Sequence, residues 1–142
     1  IDPAVTDRVV GALLAAPERY DFAANTMVRT WPRGLDTSVF KASILAEAWR
    51  EATDPREREH VALHFHYNRD RFRMLSVEAE QDLSAHRWTL DTPEDLAFME
   101  AVYGRFHRPD RAFSTEEVLA LLEAEPAIRA LNAGVHQKDV GG

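Results

Sequence analysis

The chain has 142 residues, of which 45% are hydrophobic, so the composition predicts one folded domain with a real core and excludes a disordered chain. The formal net charge is −7 and the 17 basic residues are scattered, which argues against nucleic acid as the main partner. Cysteine is absent, so disulfides, thiol nucleophiles and zinc–thiolate sites are excluded. No apolar run approaches the roughly 20 residues of a membrane span and no signal peptide is recognised, so we expect a cytoplasmic protein without a membrane partner.

Hydrophobic periodicity and capping signals predict alternating helices and strands. In chain order, the patterns predict a helix over 3–16, strands within 20–26 and 35–40, helices over 41–52 and from 55 to about 67, strands within 72–77 and 88–90, a helix over 93–106, a helix that Ser114 caps, and a short helix around 128–131. The spacing of apolar residues predicts the buried side of each of the first two long helices. On the first helix this side carries Val5, Val9 and Leu13, and on the second it carries Ile44, Leu45, Ala48 and Trp49.

Three or four short strands beside five or six helices favour an α/β fold whose sheet is only part of a larger one. We expect this portion of a domain to extend over 1–132 and to be followed by a flexible tail over 133–142.

The stretch RWTLDTPEDL, residues 87–96, places Asp91 between a short apolar run and a strongly signalled helix start. Thr92 has the position of an N-cap, Pro93 that of the first helical residue, and Asp95 follows the cap by three residues. Ligands of α/β folds bind where strands end and helices begin, and a carboxylate there suits a hard cation such as Mg²⁺. The alternative is that Asp91 only supports the helix terminus electrostatically.

The segment RTWPRGLD, which begins at Arg29, is a second candidate site. Gly34 would allow a close approach between backbone and ligand, and Arg29 and Arg33 can form bidentate pairs with a carboxylate or phosphate. Trp31 is a candidate for stacking on a sugar ring, and Asp36 for accepting hydrogen bonds from sugar hydroxyls. The alternative is an ordinary proline–glycine turn with solvated charges.

The segment DPREREHVALHFH contains His60, His64 and His66. On one helix His60 and His64 would share a face, which is a weak indication of a transition-metal site. Arg58, Glu59 and His60 are instead candidates for lining a substrate cleft. A solvated helix face is the alternative.

Four longer segments occur in a characteristic order: YDFAANTMVRTWPRGLDTSVF, AWREATDPREREHV, HRWTLDTPEDLAFMEAVY and FSTEEVLALLEAEPAIRALN. Together they resemble the C-terminal half of the cytidylyltransferases of spore-coat polysaccharide biosynthesis, which are relatives of the acylneuraminate and Kdo cytidylyltransferases. The resemblance runs from Ile1 to about Asn132, and the motif DTPEDL is also shared with the Kdo enzymes.

The resemblance implies the C-terminal part of a Rossmann-like nucleotide-diphospho-sugar transferase fold. It also implies a Mg²⁺-dependent enzyme of surface-glycan biosynthesis that transfers CMP from CTP to a sugar, often an acidic one, and releases pyrophosphate. In this family the aspartate that matches Asp91 helps to hold Mg²⁺, so Asp91 is the candidate catalytic and metal-binding residue. Arg87, in the same stretch, joins the candidate substrate-binding residues, and the glycine loop and the EREHV segment would line the sugar side.

Family members usually carry, before the matching region, a Gly-rich triphosphate loop and a second metal carboxylate, and this sequence contains neither. We therefore expect a piece of a longer enzyme that is inactive alone and self-associates, because missing strands would leave sheet edges unpaired. A non-catalytic α/β module for oligomerisation or interaction is the alternative.

Overall fold

The computed structural model describes residues 2–136, which form seven α-helices and three β-strands. The helices are α1 (Pro3–Ala15), α2 (Ala42–Glu51), α3 (Pro55–Glu59), α4 (Val61–Tyr67), α5 (Pro93–Phe106), α6 (Thr115–Ala124) and α7 (Pro126–Ala130). The strands are β1 (Phe22–Ala24), β2 (Ser38–Phe40) and β3 (Met74–Ser76). The predicted mixed α/β fold is confirmed.

The described chain divides into two compact units, each assembled from separate stretches of sequence. The strand unit consists of Pro3–Trp31 and Asp36–Asp82, and it contains α1 to α4 and the three strands. The helical unit consists of Asp2, Pro32–Leu35 and the described residues from Leu83 onward, and it contains α5 to α7. The tail predicted over 133–142 lies mostly outside the described residues. Between residues 2 and 136, no helix has the length and apolarity that a bilayer crossing requires.

The sheet of the strand unit has β1 at its centre, antiparallel to β2 and parallel to β3. Successive side chains of a strand point to opposite faces, and β1 follows this rule. Ala23 packs with Val9 and Leu13 of α1, whereas Phe22 belongs to a second cluster that includes Phe65 of α4. The sheet is therefore covered by helices on both faces.

The first helix and its buried residues agree with the prediction, but the buried side of α2 is narrower than predicted. Ile44 and Ala48 are buried in the core, whereas Leu45 is 40% and Trp49 69% exposed. Leu45 and Trp49 each lie one position after a buried residue. A step of one residue rotates the side chain by more than a quarter of a helical turn, which takes it away from the core. The prediction that Leu45 and Trp49 are buried is therefore wrong.

Two predicted elements differ from the structure. The helix predicted from 55 to about 67 is interrupted at His60, whose φ of −114° and ψ of 88° are not helical, so that α3 and α4 are separate. The strand predicted at 88–90 does not form, and pairing is limited to one parallel bridge between Arg33 and Arg87.

The helical unit follows its local signals closely. Helix α5 begins and ends where predicted, and α6 begins with a capping box in which Ser114 and Glu117 bind each other's backbone amides. The buried sides of these two helices supply Phe98 and Val102, and Val118 and Leu122, to the core of the unit.

Candidate functional site

Asp91 lies immediately before the start of α5, at the position that the sequence predicted. The Thr92 hydroxyl accepts a hydrogen bond from the Asp95 amide at 3.2 Å, so the predicted N-cap is confirmed. The side chain of Asp91 is 60% exposed, which places one accessible carboxylate beside the N-terminus of a 14-residue helix.

Arg87 connects Asp91 to the interior of the helical unit. Its guanidinium donates to Asp95 through Nε, 3.0 Å from Oδ1, and through Nη2, 2.8 Å from Oδ2, and Nη2 also lies 2.9 Å from Oδ2 of Asp91. The Asp95 side chain has no exposed surface. It also accepts hydrogen bonds from the side chains of Asn132 at 2.9 Å and Thr89 at 3.2 Å, and from the Asp91 amide at 3.1 Å.

Asp95 and Arg87 are both charged at neutral pH. Hydrogen bonds from Arg87 hold the pKa of Asp95 well below its usual range, although burial acts in the opposite direction. The same pair raises the pKa of Arg87. A buried carboxylate therefore orients a guanidinium, and the guanidinium in turn positions the exposed carboxylate of Asp91.

Only part of this network can be predicted from the sequence. The four-residue spacing from Arg87 to Asp91 and then to Asp95 is a pattern that could have indicated charge pairing, but Asp95 was assigned only to the helix start. Asn132 was missed, and a single asparagine after a short helix gives no signal for a contact across 37 positions.

A divalent metal ion would find one suitable carboxylate in this region. Oδ2 of Asp91 contacts Arg87, while Oδ1 makes no hydrogen bond within residues 2–136, and both oxygens of Asp95 are engaged. Mg²⁺ commonly takes one or two protein carboxylates and completes its shell with phosphate oxygens and water. Asp91 fits one such position. Across the described residues, no group of three or more His, Asp or Glu side chains is arranged to hold a metal by itself.

Gly34 lies in the helical unit, where its backbone has a φ of 103°. A Cβ atom at this position would lie 2.1 Å from the Trp88 carbonyl oxygen, so only glycine fits. The neighbouring Arg33 donates its amide to the His86 carbonyl at 3.0 Å and accepts from the Trp88 amide at 2.7 Å. The close approach that Gly34 allows is thus to the chain's own backbone, and its contact with a substrate stays a prediction.

Arg29 and Asp36 lie in the strand unit and bind each other. Nη1 and Nη2 of the guanidinium lie 2.8 and 2.9 Å from the two carboxylate oxygens, and this pair raises the pKa of Arg29. A ligand of either residue would compete with the pair. Trp31 is buried, donates its Nε1 to the Val77 carbonyl at 2.9 Å and has the Arg8 guanidinium 5.4 Å from its ring, so it is a core residue rather than an exposed stacking surface.

Three further candidates are exposed at the end of α3 and the break that follows it: Arg58, Glu59 and His60. Their exposure agrees with the alternative of a solvated face, and their contact with a substrate stays a prediction. His64 is buried in α4, with Nδ1 3.4 Å from Oε2 of Glu57. Because the helix breaks at His60, the shared helix face on which a two-histidine metal site depended does not form.

The structure thus groups the predicted site residues by unit. The helical unit contains Arg33, Gly34, Arg87 and Asp91, and the strand unit contains Arg29, Asp36, Arg58, Glu59 and His60. Within the helical unit, Arg87 and Asp91 are in direct contact, and Arg33 pairs with the backbone of the segment that contains Arg87.

Comparison with known proteins identifies the fold. No protein-family profile matches the chain. The structure is similar to that of a cytidylyltransferase from Leptospira borgpetersenii serovar Hardjo-bovis, with a TM-score of 0.85 and 27% sequence identity over 98% of this chain and 56% of that protein. A curated protein of Methanocaldococcus jannaschii, itself uncharacterized, is 27% identical over 107 residues, which are 74% of this chain and 43% of that protein.

The chain therefore spans about half the length of the proteins that it matches. Its mixed α/β fold is that of part of a cytidylyltransferase-like protein, in agreement with the partial Rossmann-like fold that the sequence predicted.

Proposed function

We propose that the protein containing this chain is a nucleotidyltransferase that transfers CMP from CTP to a sugar for the synthesis of a surface glycan. The observation that carries this proposal is the similarity of nearly the whole chain to a cytidylyltransferase structure. The four sequence segments that resemble spore-coat cytidylyltransferases support the same chemistry. The donor is a nucleoside triphosphate, and cells hold these donors in the cytoplasm. We therefore also propose a cytoplasmic location.

The proposed reaction is a substitution at phosphorus. A hydroxyl oxygen of the sugar forms a bond to the α-phosphorus of CTP, the bond to the oxygen that bridges to the β-phosphate breaks, and pyrophosphate leaves with that electron pair. The hydroxyl proton passes to solvent. The chain's own contribution is a preorganised carboxylate, because Arg87, fixed by Asp95, positions Asp91 beside the start of α5.

Asp91 is the residue that we propose as a Mg²⁺ ligand, with Oδ1 as the oxygen that has no hydrogen bond within residues 2–136. The bound ion would offset the negative charge of the phosphates. The resemblance further supports contacts with the sugar by residues of the glycine-loop and EREHV segments, and Arg33 and Asp36 are the first candidates. Alanine variants of these two should raise the KM for the sugar and leave the KM for CTP nearly unchanged.

The decisive experiment measures CTP-dependent release of pyrophosphate by the whole protein that contains this chain, with a panel of sugars as acceptors. Mass spectrometry identifies the CMP-sugar. Asp91→Asn should lower Mg²⁺-dependent turnover by at least about 100-fold, because it removes a charge from the metal ligand without changing its shape. Glu94→Gln removes an exposed carboxylate from the first turn of the same helix and should leave turnover near that of the wild type.

Formation of no CMP-sugar from any acceptor would contradict the proposed activity, and full turnover by Asp91→Asn would contradict the role of Asp91. The 142-residue chain by itself should not turn over, because its sequence contains no Gly-rich motif for binding a triphosphate. Turnover by the isolated chain would show that the nucleotide is held by residues other than a Gly-rich loop.

A further inference from the structure

The helical unit contains a cavity of about 190 Å³ whose lining includes Arg87 but not Asp91. Its apolar lining includes Phe98 and Leu122, and its polar lining includes Arg33, Ser84, His86, Arg87, Arg129 and Asn132. A protein cavity of about 150 Å³ is large enough for benzene, so this one has room for a small ion or for a molecule with a single ring.

The lining is basic, although the chain as a whole has a net charge of −7. Among the described residues that form the cavity wall, three are arginines and none is an aspartate or glutamate. The charge of Arg87 is balanced by Asp95. Arg33 and Arg129 form no ion pair with a carboxylate within residues 2–136, so two guanidinium charges at this wall are not balanced by protein groups there.

His86 adds a hydrogen-bonding ring to the arginines of the cavity wall. Burial, followed by the charge of Arg129, lowers the pKa of His86, so its ring is neutral at pH 7 and can donate or accept one hydrogen bond at each nitrogen.

We propose that this cavity binds a small molecule through an oxyanion, either a carboxylate or a phosphate group, with Arg33 and Arg129 as its charge partners. The planar guanidinium fork matches both oxyanions, and an anion between the two arginines removes the repulsion between their like charges. The inference does not rest on the proposed transferase activity, because it predicts binding to the chain without CTP and without turnover.

The test is calorimetric titration of the 142-residue chain with inorganic phosphate, with pyrophosphate and with glucuronate, each at low ionic strength. Glucose is the uncharged match for glucuronate. We expect saturable binding below about 10 mM for at least one of the anions and none for glucose. The same anion should shift the NMR resonances of the His86 ring, which reports binding at this cavity directly.

Arg129→Gln and Arg33→Gln should each weaken that binding by about tenfold or more, because each removes one charged hydrogen-bonding partner. Arg108→Gln makes the same change of charge in the same unit, outside the cavity, and should leave the affinity unchanged. Because Arg129 is exposed, its variant should fold normally, and circular dichroism checks this for all three.

The pattern of ligands distinguishes the two sources of the oxyanion. Binding confined to phosphate and pyrophosphate assigns the site to a phosphate group, and binding confined to glucuronate assigns it to a carboxylate. The proposal is overturned by absence of binding for every anion, by equal binding of glucose, or by affinities that Arg129→Gln and Arg33→Gln leave unchanged.

Discussion

Arg87 and Asp95 form a two-bond ion pair in which the carboxylate is completely buried and the guanidinium almost so. Removing one partner of such a pair leaves the other as an uncompensated charge in the interior, which typically costs about 3–5 kcal/mol. The pair is therefore a structural support of the helix start at which Asp91 is exposed.

Asp95→Asn should lower the free energy of unfolding by about 3 kcal/mol, because the Arg87 guanidinium would lose its buried counter-charge and keep only its contact with the exposed Asp91. Chemical denaturation followed by circular dichroism measures the change. Glu100→Gln removes an exposed carboxylate from the same helix and should change the free energy by less than about 0.5 kcal/mol. Equal midpoints for Asp95→Asn and the wild type would mean that the pair does not stabilise the fold.

Gly34→Ala should prevent stable folding of the helical unit or lower its stability by several kcal/mol. The new Cβ would overlap the Trp88 carbonyl oxygen, and the φ of 103° is unfavourable for alanine. Gly104→Ala is the matched control, because its Cβ has no neighbour within 4 Å and the residue lies within α5. Gly104→Ala should raise the free energy of unfolding by about 0.5–1 kcal/mol, whereas Gly34→Ala should lower it. Thermal unfolding distinguishes the two results.

Asp21 should make the stability of the strand unit depend on pH. Its carboxylate accepts from Arg73 at 2.7 and 2.8 Å and from Lys41 at 2.8 Å, and these bonds hold its pKa well below the usual range. A carboxyl whose pKa is lower in the folded state than in the unfolded state stabilises the fold. This contribution to the free energy of unfolding is fully present above the unfolded pKa of about 3.9, and it is lost as the pH falls toward the folded pKa.

Asp21→Asn should therefore cost about 1–2 kcal/mol at pH 7, since Arg73 is half exposed, and progressively less below about pH 4. Denaturation at a series of pH values measures the difference. Glu80→Gln, which alters an exposed carboxylate of the same unit, should give curves parallel to those of the wild type. A difference between wild type and Asp21→Asn that does not shrink in acid would contradict the assignment.

Self-association, expected from the sequence, stays a prediction, and the exposed side of α2 offers a surface for it. Leu45, Trp49 and Val61 line a shallow apolar depression, and the Arg58 guanidinium lies 5.8 Å from the Trp49 ring centroid. Trp49→Gln should shift the chain toward monomer in sedimentation velocity. Leu14→Gln should not, although Leu14 is as exposed as Trp49 at 69%. A monomeric wild type at about 100 μM would exclude this surface as a self-association site.

The elements that could be predicted from the sequence are those with local causes. The cap at Thr92 and the capping box at Ser114 depend on residues within three positions, so the starts of α5 and α6 were predicted correctly. The break at His60 and the exposure of Trp49 depend on tertiary packing. The periodicity of one helix does not reveal how wide its covered side is.

The candidate site likewise has one part that the sequence predicts and another that depends on contacts between distant segments. The position of Asp91 before a helix is readable from the sequence, but its fixation by Arg87 through Asp95 requires the fold. Asn132 and the Trp88 carbonyl against Gly34 are contacts between distant segments, and no pattern within either segment encodes the other.

The division of the chain into interleaved units restricts how the protein can be recombined. Pro32–Leu35 belongs to the helical unit but is encoded within the stretch that supplies the strand unit. A gene fragment that begins at Leu83 would lose Arg33, whose backbone pairs with His86 and Trp88. A single crossover before Leu83 can therefore transfer all residues of the strand unit, but no single crossover separates the helical unit intact from the strand unit.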